Sequence, residues 1–161
     1  MTSKKVILAG SFGVGKTSLF NQFIYSKFDD KYLTTIGVKV NKKVINVDDQ
    51  ELSVLLWDIA GEVSQDKVPV TYFLGASGVI YVFDLSRPTT FKNISDDLNY
   101  LKGILNGGVI RLVGNKRDLI TDEQLSKIKK ELEIPFDIAT SAKTGENVEQ
   151  LFEDLGRSLL D

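Results

Sequence analysis

A chain of 161 residues is long enough for one domain around one core, and 42% hydrophobic with 26% charged residues is an ordinary globular balance. The formal net charge of -2 argues against general nucleic-acid binding, which needs a basic face, and against a polybasic membrane anchor. With neither Cys nor His, the chain cannot make a disulfide, a thiolate or imidazole metal site, a thiol nucleophile or an imidazole base. Its chemistry must rest on carboxylates, Lys, Arg, hydroxyls, backbone N–H groups or a hard metal ion.

The first residues, Met1 to Lys5, lack a secretory pattern, and no apolar span reaches 18 residues. Position 2 is Thr rather than the Gly that myristoylation needs, and there is no C-terminal Cys for prenylation. The expectation is a cytoplasmic protein without a direct lipid anchor, with any membrane recruitment left to a partner.

In chain order, residues 6–9 form a short buried strand ending at Gly10. Leu19, Phe20, Phe23 and Ile24 follow at helical spacing. Two strands are predicted over 38–47 and 52–59, joined by a turn at Asp48-Asp49-Gln50. Residues 79–83 are a further buried strand. Phe91, Ile94, Leu98, Leu101 and Leu105 then mark one face of a helix, with Pro88 in its first turn. Residues 109–113 are another strand. Thr121 and Gln124 make a capping-box pattern ahead of Leu125, Ile128 and Leu132. A last strand is predicted over 136–140, and Val148, Leu151, Phe152, Leu155 and Leu159 stripe the final helix. This alternation implies layered α/β structure with a mostly parallel sheet, and the 38–59 hairpin adds one antiparallel edge strand. Ligands of such sheets bind beyond the carboxyl ends of the strands.

Gly10-Ser11-Phe12-Gly13-Val14-Gly15-Lys16-Thr17 fits G-x-x-x-x-G-K-[ST] between a predicted strand and a predicted helix. Glycines let the backbone curl so that successive N–H groups face one anion, and the helix N-terminus adds its positive dipole end. Gly13, Val14, Gly15 and Ser18 belong to this cradle. Lys16 offers a full charge to β- and γ-phosphates, and Thr17 offers a hydroxyl to Mg²⁺, which prefers oxygen ligands. The loop does not say which base is bound.

Asn115-Lys116-Arg117-Asp118 follows the 109–113 strand. A carboxylate accepts two hydrogen bonds side by side, and guanine presents adjacent N1–H and N2–H donors where adenine does not. Asp118 is therefore the expected guanine reader, with the aliphatic stem of Lys116 over one ring face. In Ser141-Ala142-Lys143 a backbone N–H can meet guanine O6. Two further segments suit a γ-phosphate. In Trp57-Asp58-Ile59-Ala60-Gly61, Asp58 can hold Mg²⁺ through water, and Gly61 lets its N–H approach phosphate without a Cβ clash. In Thr34-Thr35-Ile36-Gly37, Thr35 can place its hydroxyl on Mg²⁺ when its loop closes.

These elements, in this order and over essentially the whole chain, resemble a small GTPase of the Ras superfamily. The likeness is to the Rab-like branch, through Thr35-Ile36-Gly37-Val38, Trp57 to Gly61, Gly114 to Leu119 and Thr140 to Val148. The resemblance implies a P-loop NTPase three-layer sandwich with a six-stranded sheet, a G domain over 1–161. It implies GTP/GDP and Mg²⁺ as ligands and GTP hydrolysis by in-line attack of water, with Lys16, Thr35, Gly61 and position 62 in the catalytic machinery. It further implies an exchange factor, a GTPase-activating protein and effectors, meeting the chain through Lys27–Val38 and Gly61–Phe73. Phe28 matches an aromatic that packs on guanine, and Tyr32 one that folds over the phosphates.

Two positions depart from the family pattern. Where the family usually has the Gln that orients the attacking water, this chain has Glu62, a carboxylate that cannot donate an N–H to the γ-phosphoryl oxygens. It is either a general base or a solvated residue with little catalytic part; Gln65 is a weaker substitute. Phe12 replaces a small residue, and its ring either crowds the space for an inserted arginine or points away. Residues 27–34 hold no Arg to serve in cis. The expectation is a switch that binds GTP and hydrolyses it slowly unaided. The alternative is a GTP-locked scaffold with negligible hydrolysis. A P-loop kinase or ATPase fits poorly with Asp118.

Overall fold

The computed structural model describes residues 1–29, 37–62, 65–132 and 134–161. Among these residues six strands form one sheet: β1 (Thr2–Gly10), β2 (Val38–Val47), β3 (Gln50–Ile59), β4 (Ala76–Asp84), β5 (Val109–Asn115) and β6 (Ile138–Ala139). Their order across the sheet is β2-β3-β1-β4-β5-β6. Only β2 runs antiparallel, paired with β3, and the remaining pairs are parallel. The expected α/β sandwich with one antiparallel edge strand is what forms.

Among the described residues four helices cover the two faces: α1 (Lys16–Tyr25), α2 (Ile94–Leu105), α3 (Asp122–Glu131) and α4 (Val148–Leu160). Alternate residues of a strand face opposite ways, so each central strand feeds two cores. Val6, Leu8, Ile80 and Val82 pack under α1 and α4, joined by Leu19, Phe20 and Phe152. Ile7, Val79, Tyr81 and Phe83 pack under α2, joined by Leu98 and Leu101, with Leu125 and Ile128 of α3 at the margin. Phe23 of α1 stacks on Phe152 of α4 with ring centroids 3.6 Å apart.

The local signals work as their chemistry requires, with differences in extent. Thr121 Oγ1 accepts from the Gln124 N–H at 3.1 Å and Gln124 Oε1 accepts from the Thr121 N–H at 2.8 Å, closing the capping box of α3. The β2–β3 turn is the two residues Asp48 and Asp49, both at positive φ, with Val47 paired to Gln50. Pro88 opens a 3-10 turn, Pro88–Phe91, and α2 begins only at Ile94, past Asn93. β1 starts at Thr2 rather than Val6, because its polar first residues pair with Leu52 to Leu55 of β3. β6 is cut to two residues where 136–140 was predicted: Phe136 packs edge-on against Phe83 and Asp137 turns its carboxylate to the Leu112 N–H at 2.7 Å. The parallel strands β1, β3, β4, β5 and β6 release their carboxyl ends along one edge, at Gly10, Ile59, Asp84, Asn115 and Ala139.

Candidate functional site

The loop after β1 curls into α1 with Gly15 as the helix N-cap at φ 100°, and a Cβ there would stand 2.2 Å from Asn115 Nδ2. Only glycine fits both the backbone angle and the gap. Gly61, just past β3, lies directly on this loop: a Cβ on it would come within 2.6 Å of Phe12 Cα and 2.9 Å of Lys16 Nζ. The two segments expected to share a terminal phosphate are thus already in contact.

Lys16 is 6% exposed and its ammonium donates to Gly10 O at 3.2 Å and Ser11 O at 3.0 Å. Burial pulls its pKa down to about 8, and the charge of Asp58 works in the opposite direction. A cation held in the mouth of a loop of N–H groups is a site for an anion.

Thr17 Oγ1 donates to Asp58 Oδ2 at 2.6 Å, and Asp58 is fully buried. One hydroxyl and one carboxylate, adjacent and beside the cationic loop, form a hard-oxygen pair that suits Mg²⁺. Thr35 and Tyr32 fall outside the described residues, as does much of the Lys27–Val38 segment.

Asn115, at the end of β5, is 1% exposed and ties three segments together. Its Nδ2 donates to Val14 O at 3.0 Å, and its Oδ1 accepts from Thr140 Oγ1 at 3.0 Å and from the Ala142 N–H at 3.2 Å. Lys116, at φ 67°, bends back so that its ammonium reaches Gly13 O at 2.9 Å and Asp84 Oδ2 at 3.0 Å. Asp118 is exposed, and its Oδ1 accepts from Ser141 Oγ at 2.7 Å; Ser141 Oγ also accepts from the Thr144 N–H at 3.1 Å. The pair of loops expected to read the base is therefore bonded into one unit. Within the 141–143 turn, the Ser141 N–H is committed to Glu146 O at 3.1 Å. The Ala142 bond is the longest of the three that Asn115 makes, so its N–H is the one most readily shared with an incoming acceptor.

Phe28 follows the C-cap of α1 and is 37% exposed, which leaves ring surface for a base. Phe12 is 53% exposed; its backbone, not its ring, is what lies nearest Gly61. Glu62 is partly buried beside it in sequence. The segment from Gly61 to Phe73 is described except for residues 63 and 64.

Three residues belong to this site that sequence reasoning passed over. Asp84 is wholly buried at the carboxyl end of β4, where a charged residue closing an apolar strand was a readable signal. Gln22 of α1 donates to Ala142 O at 2.8 Å, and Arg87 donates to Gly13 O at 3.1 Å. Neither carries a spacing that a motif would catch.

A family model described as the Ras family matches residues 5–161. Rab-13 of Canis lupus familiaris is 34% identical over 162 residues, which span 97% of this chain and 79% of that protein. Rab-4A of Bos taurus is 36% identical over 163 residues, 98% of this chain and 74% of that protein. SEC4 of Saccharomyces cerevisiae is 35% identical over 158 residues, 95% and 73% respectively.

Proposed function

The chain belongs to the Ras family, and from that premise we propose that residues 1–161 form one G domain that binds GTP and GDP with Mg²⁺ and hydrolyses GTP slowly when unaided. Membership carries guanine-nucleotide binding, a GTPase switch, and interaction with regulators and effectors in general. The finer assignments that follow are read from this chain's own residues.

The observation that carries the reading is the pair of side-chain links across the strand ends. Asn115 bonds the phosphate loop at Val14 to Thr140 and Ala142, and Ser141 bonds Asp118. A phosphate cradle and a carboxylate base reader are thereby held in one rigid frame. Asp118 takes the N1–H and N2–H of guanine, its Ser141 bond fixing the carboxylate plane. Lys16 exchanges its carbonyl partners for phosphate oxygens. Thr17 and Asp58, with Thr35, would hold Mg²⁺, which would supply charge neutralisation at the phosphates. Gly61 brings its N–H to the γ-phosphate because it has no Cβ to clash with Phe12. Glu62 can accept a proton but cannot donate an amide N–H to the developing charge, so self-catalysed hydrolysis lacks one stabilising contact. An exchange factor, an activating protein and effectors meet the chain through Lys27–Val38 and Gly61–Phe73.

The test is a titration of the purified chain with fluorescent GDP, GTP and ATP in Mg²⁺, with Asp118→Asn alongside. Guanine nucleotides should bind far more tightly than ATP, and the Asn variant should lose GTP and gain xanthosine triphosphate, whose O2 accepts from an amide. Undiminished GTP affinity in Asp118→Asn would remove Asp118 as the base reader.

A further inference from the structure

Arg87 stands three residues past β4, outside every motif that points to the nucleotide. Its guanidinium donates from Nη1 to Gly13 O at 3.1 Å and from Nη2 to Phe12 O at 3.4 Å. It also lies 3.7 Å from Asp84 Oδ2, the buried oxygen that Lys116 approaches to 3.0 Å. Asp84 Oδ1 accepts from the N–H and the hydroxyl of Ser86, at 2.8 and 2.6 Å. One carboxylate, fixed by Ser86, thus anchors two cations that both reach the phosphate loop.

Peptide units are planar and trans, so a carbonyl and the N–H that follows it point to opposite sides. A carbonyl held away from the cradle turns the next N–H into it. Arg87 holds the Phe12 and Gly13 carbonyls, which turns in the N–H groups of Gly13 and Val14. Lys116 shares Gly13 O at 2.9 Å, and Asn115 holds Val14 O at 3.0 Å, which turns in the Gly15 N–H. Three successive peptide units are clamped at their carbonyls. Of the three clamps, Arg87 alone reaches Phe12, and its rigid planar fork suits two neighbouring acceptors where an ammonium would serve one.

The site has a direction. Gly15 lies against Asn115, at the base-reading end, whereas Phe12 lies against Gly61 and close to Lys16 Nζ, at the end of the terminal phosphate. We propose that Arg87 is a positioning residue for the distal phosphates of the nucleotide: it acts through the backbone of Phe12 and Gly13, aiming the Gly13 and Val14 N–H groups. This rests on the guanine-nucleotide reading of the same site.

The experiment measures the affinities of GDP and GMP by competition against fluorescent GDP, for the wild-type chain, Arg87→Gln and Arg87→Lys. Arg87→Gln should weaken GDP about five- to tenfold and leave GMP nearly unchanged, so the GDP-to-GMP ratio falls. Arg87→Lys keeps the charge without the fork and should fall between. If Arg87→Gln does not fold, the Lys variant alone decides, by the same ratio. An unchanged ratio overturns the proposal. So does an equal loss of both ligands, which is what a general structural role would give. Wild-type behaviour in Arg87→Lys would assign the effect to charge alone and overturn the peptide-orienting role. A wild-type chain that binds neither GDP nor GMP would overturn the nucleotide reading itself, and this inference with it.

Discussion

The Tyr81 hydroxyl donates to Asp97 Oδ2 at 2.5 Å, joining β4 to α2 through two side chains that are 0% and 3% exposed. The other carboxylate oxygen of Asp97 accepts from the Gln65 N–H at 2.9 Å, at the start of the 3-10 turn Gln65–Lys67. A buried carboxylate is tolerated here because it has two donors, and one of them comes from the segment that follows Gly61. Removing one donor leaves an under-satisfied buried acceptor, which costs more than the bond itself. Tyr81→Phe should destabilise the fold by about 1–3 kcal/mol, read as the shift of a urea unfolding midpoint. Burial, and then the bond to Asp97, push the Tyr81 hydroxyl far above its usual value of 10.0. The folded chain therefore keeps that proton where the unfolded chain loses it, so stability falls as pH rises past about 10. Tyr81→Phe should lack this alkaline component; an identical alkaline limb in the variant would exclude Tyr81 as its source.

Gly61→Ala tests the contact between the segment after β3 and the phosphate loop. The new methyl meets the Phe12 backbone at 2.6 and 2.7 Å, where nothing can rotate away. The expected cost is about 1–3 kcal/mol of overpacking, a drop of several degrees in the melting temperature of the GDP-bound protein. A melt that matches wild type would mean the two segments part freely.

Lys16 gives the site a pH signature. Its pKa, pulled down by burial to about 8, should rise again when phosphates surround it, so binding takes up a proton above that pH. GDP affinity should weaken as pH rises from 8 toward 9. In Lys16→Gln it should be far lower and lack that component, any titration of the base being common to both. In the nucleotide-free protein the sign reverses. Between about 8 and 10.5 the unfolded chain binds the extra proton, so Lys16 makes stability climb with pH over that window. Calorimetry of GDP binding in buffers of different ionisation heat counts the proton directly; no uptake at pH 9 would refute the assignment.

Hydrolysis separates the slow switch from the locked scaffold. Single-turnover cleavage of bound GTP by the chain alone should run on the order of 10⁻³ s⁻¹ or slower, and Glu62→Gln should be faster, because an amide can orient water and donate to the phosphoryl oxygens. Turnover near 1 s⁻¹ in the wild type, slowed by Glu62→Gln, would make Glu62 a working base. No measurable cleavage in either would favour the scaffold.

The sequence made most of the layout legible, for identifiable reasons. Strands over 79–83 and 109–113 announce themselves as apolar runs because parallel strands are covered on both faces. The phosphate loop and the 115–118 segment are legible because their chemistry is compressed into adjacent residues. What stayed hidden depends on distant partners. Thr2 to Lys5 are polar, and only the neighbouring β3 makes them a strand. Phe136 was predicted in a strand because of its apolar ring, yet that ring's partner is Phe83 on β4. Asp97 looks like any acidic residue in the first turn of a helix, and nothing local reveals that Tyr81 and Gln65 bury it. Arg87 reaches a loop 74 residues earlier in the chain.

Val38 pairs with Ile59 and Lys39 with Asp58, and the Ala60 N–H bonds to Gly37 O at 2.9 Å as the rung at the open end of this hairpin. The segment that leads into β2 and the segment that leaves β3 therefore hang from one zipper, closed at its far end by the Asp48-Asp49 turn. Fraying at either segment begins with the same rung, so neither strand end can lift from the ladder while the other stays paired. Deuterium uptake at the Ala60 amide is consequently a single gauge for both: one exchanging proton, on a residue that need touch no ligand, reports the fraying of two strand ends at once.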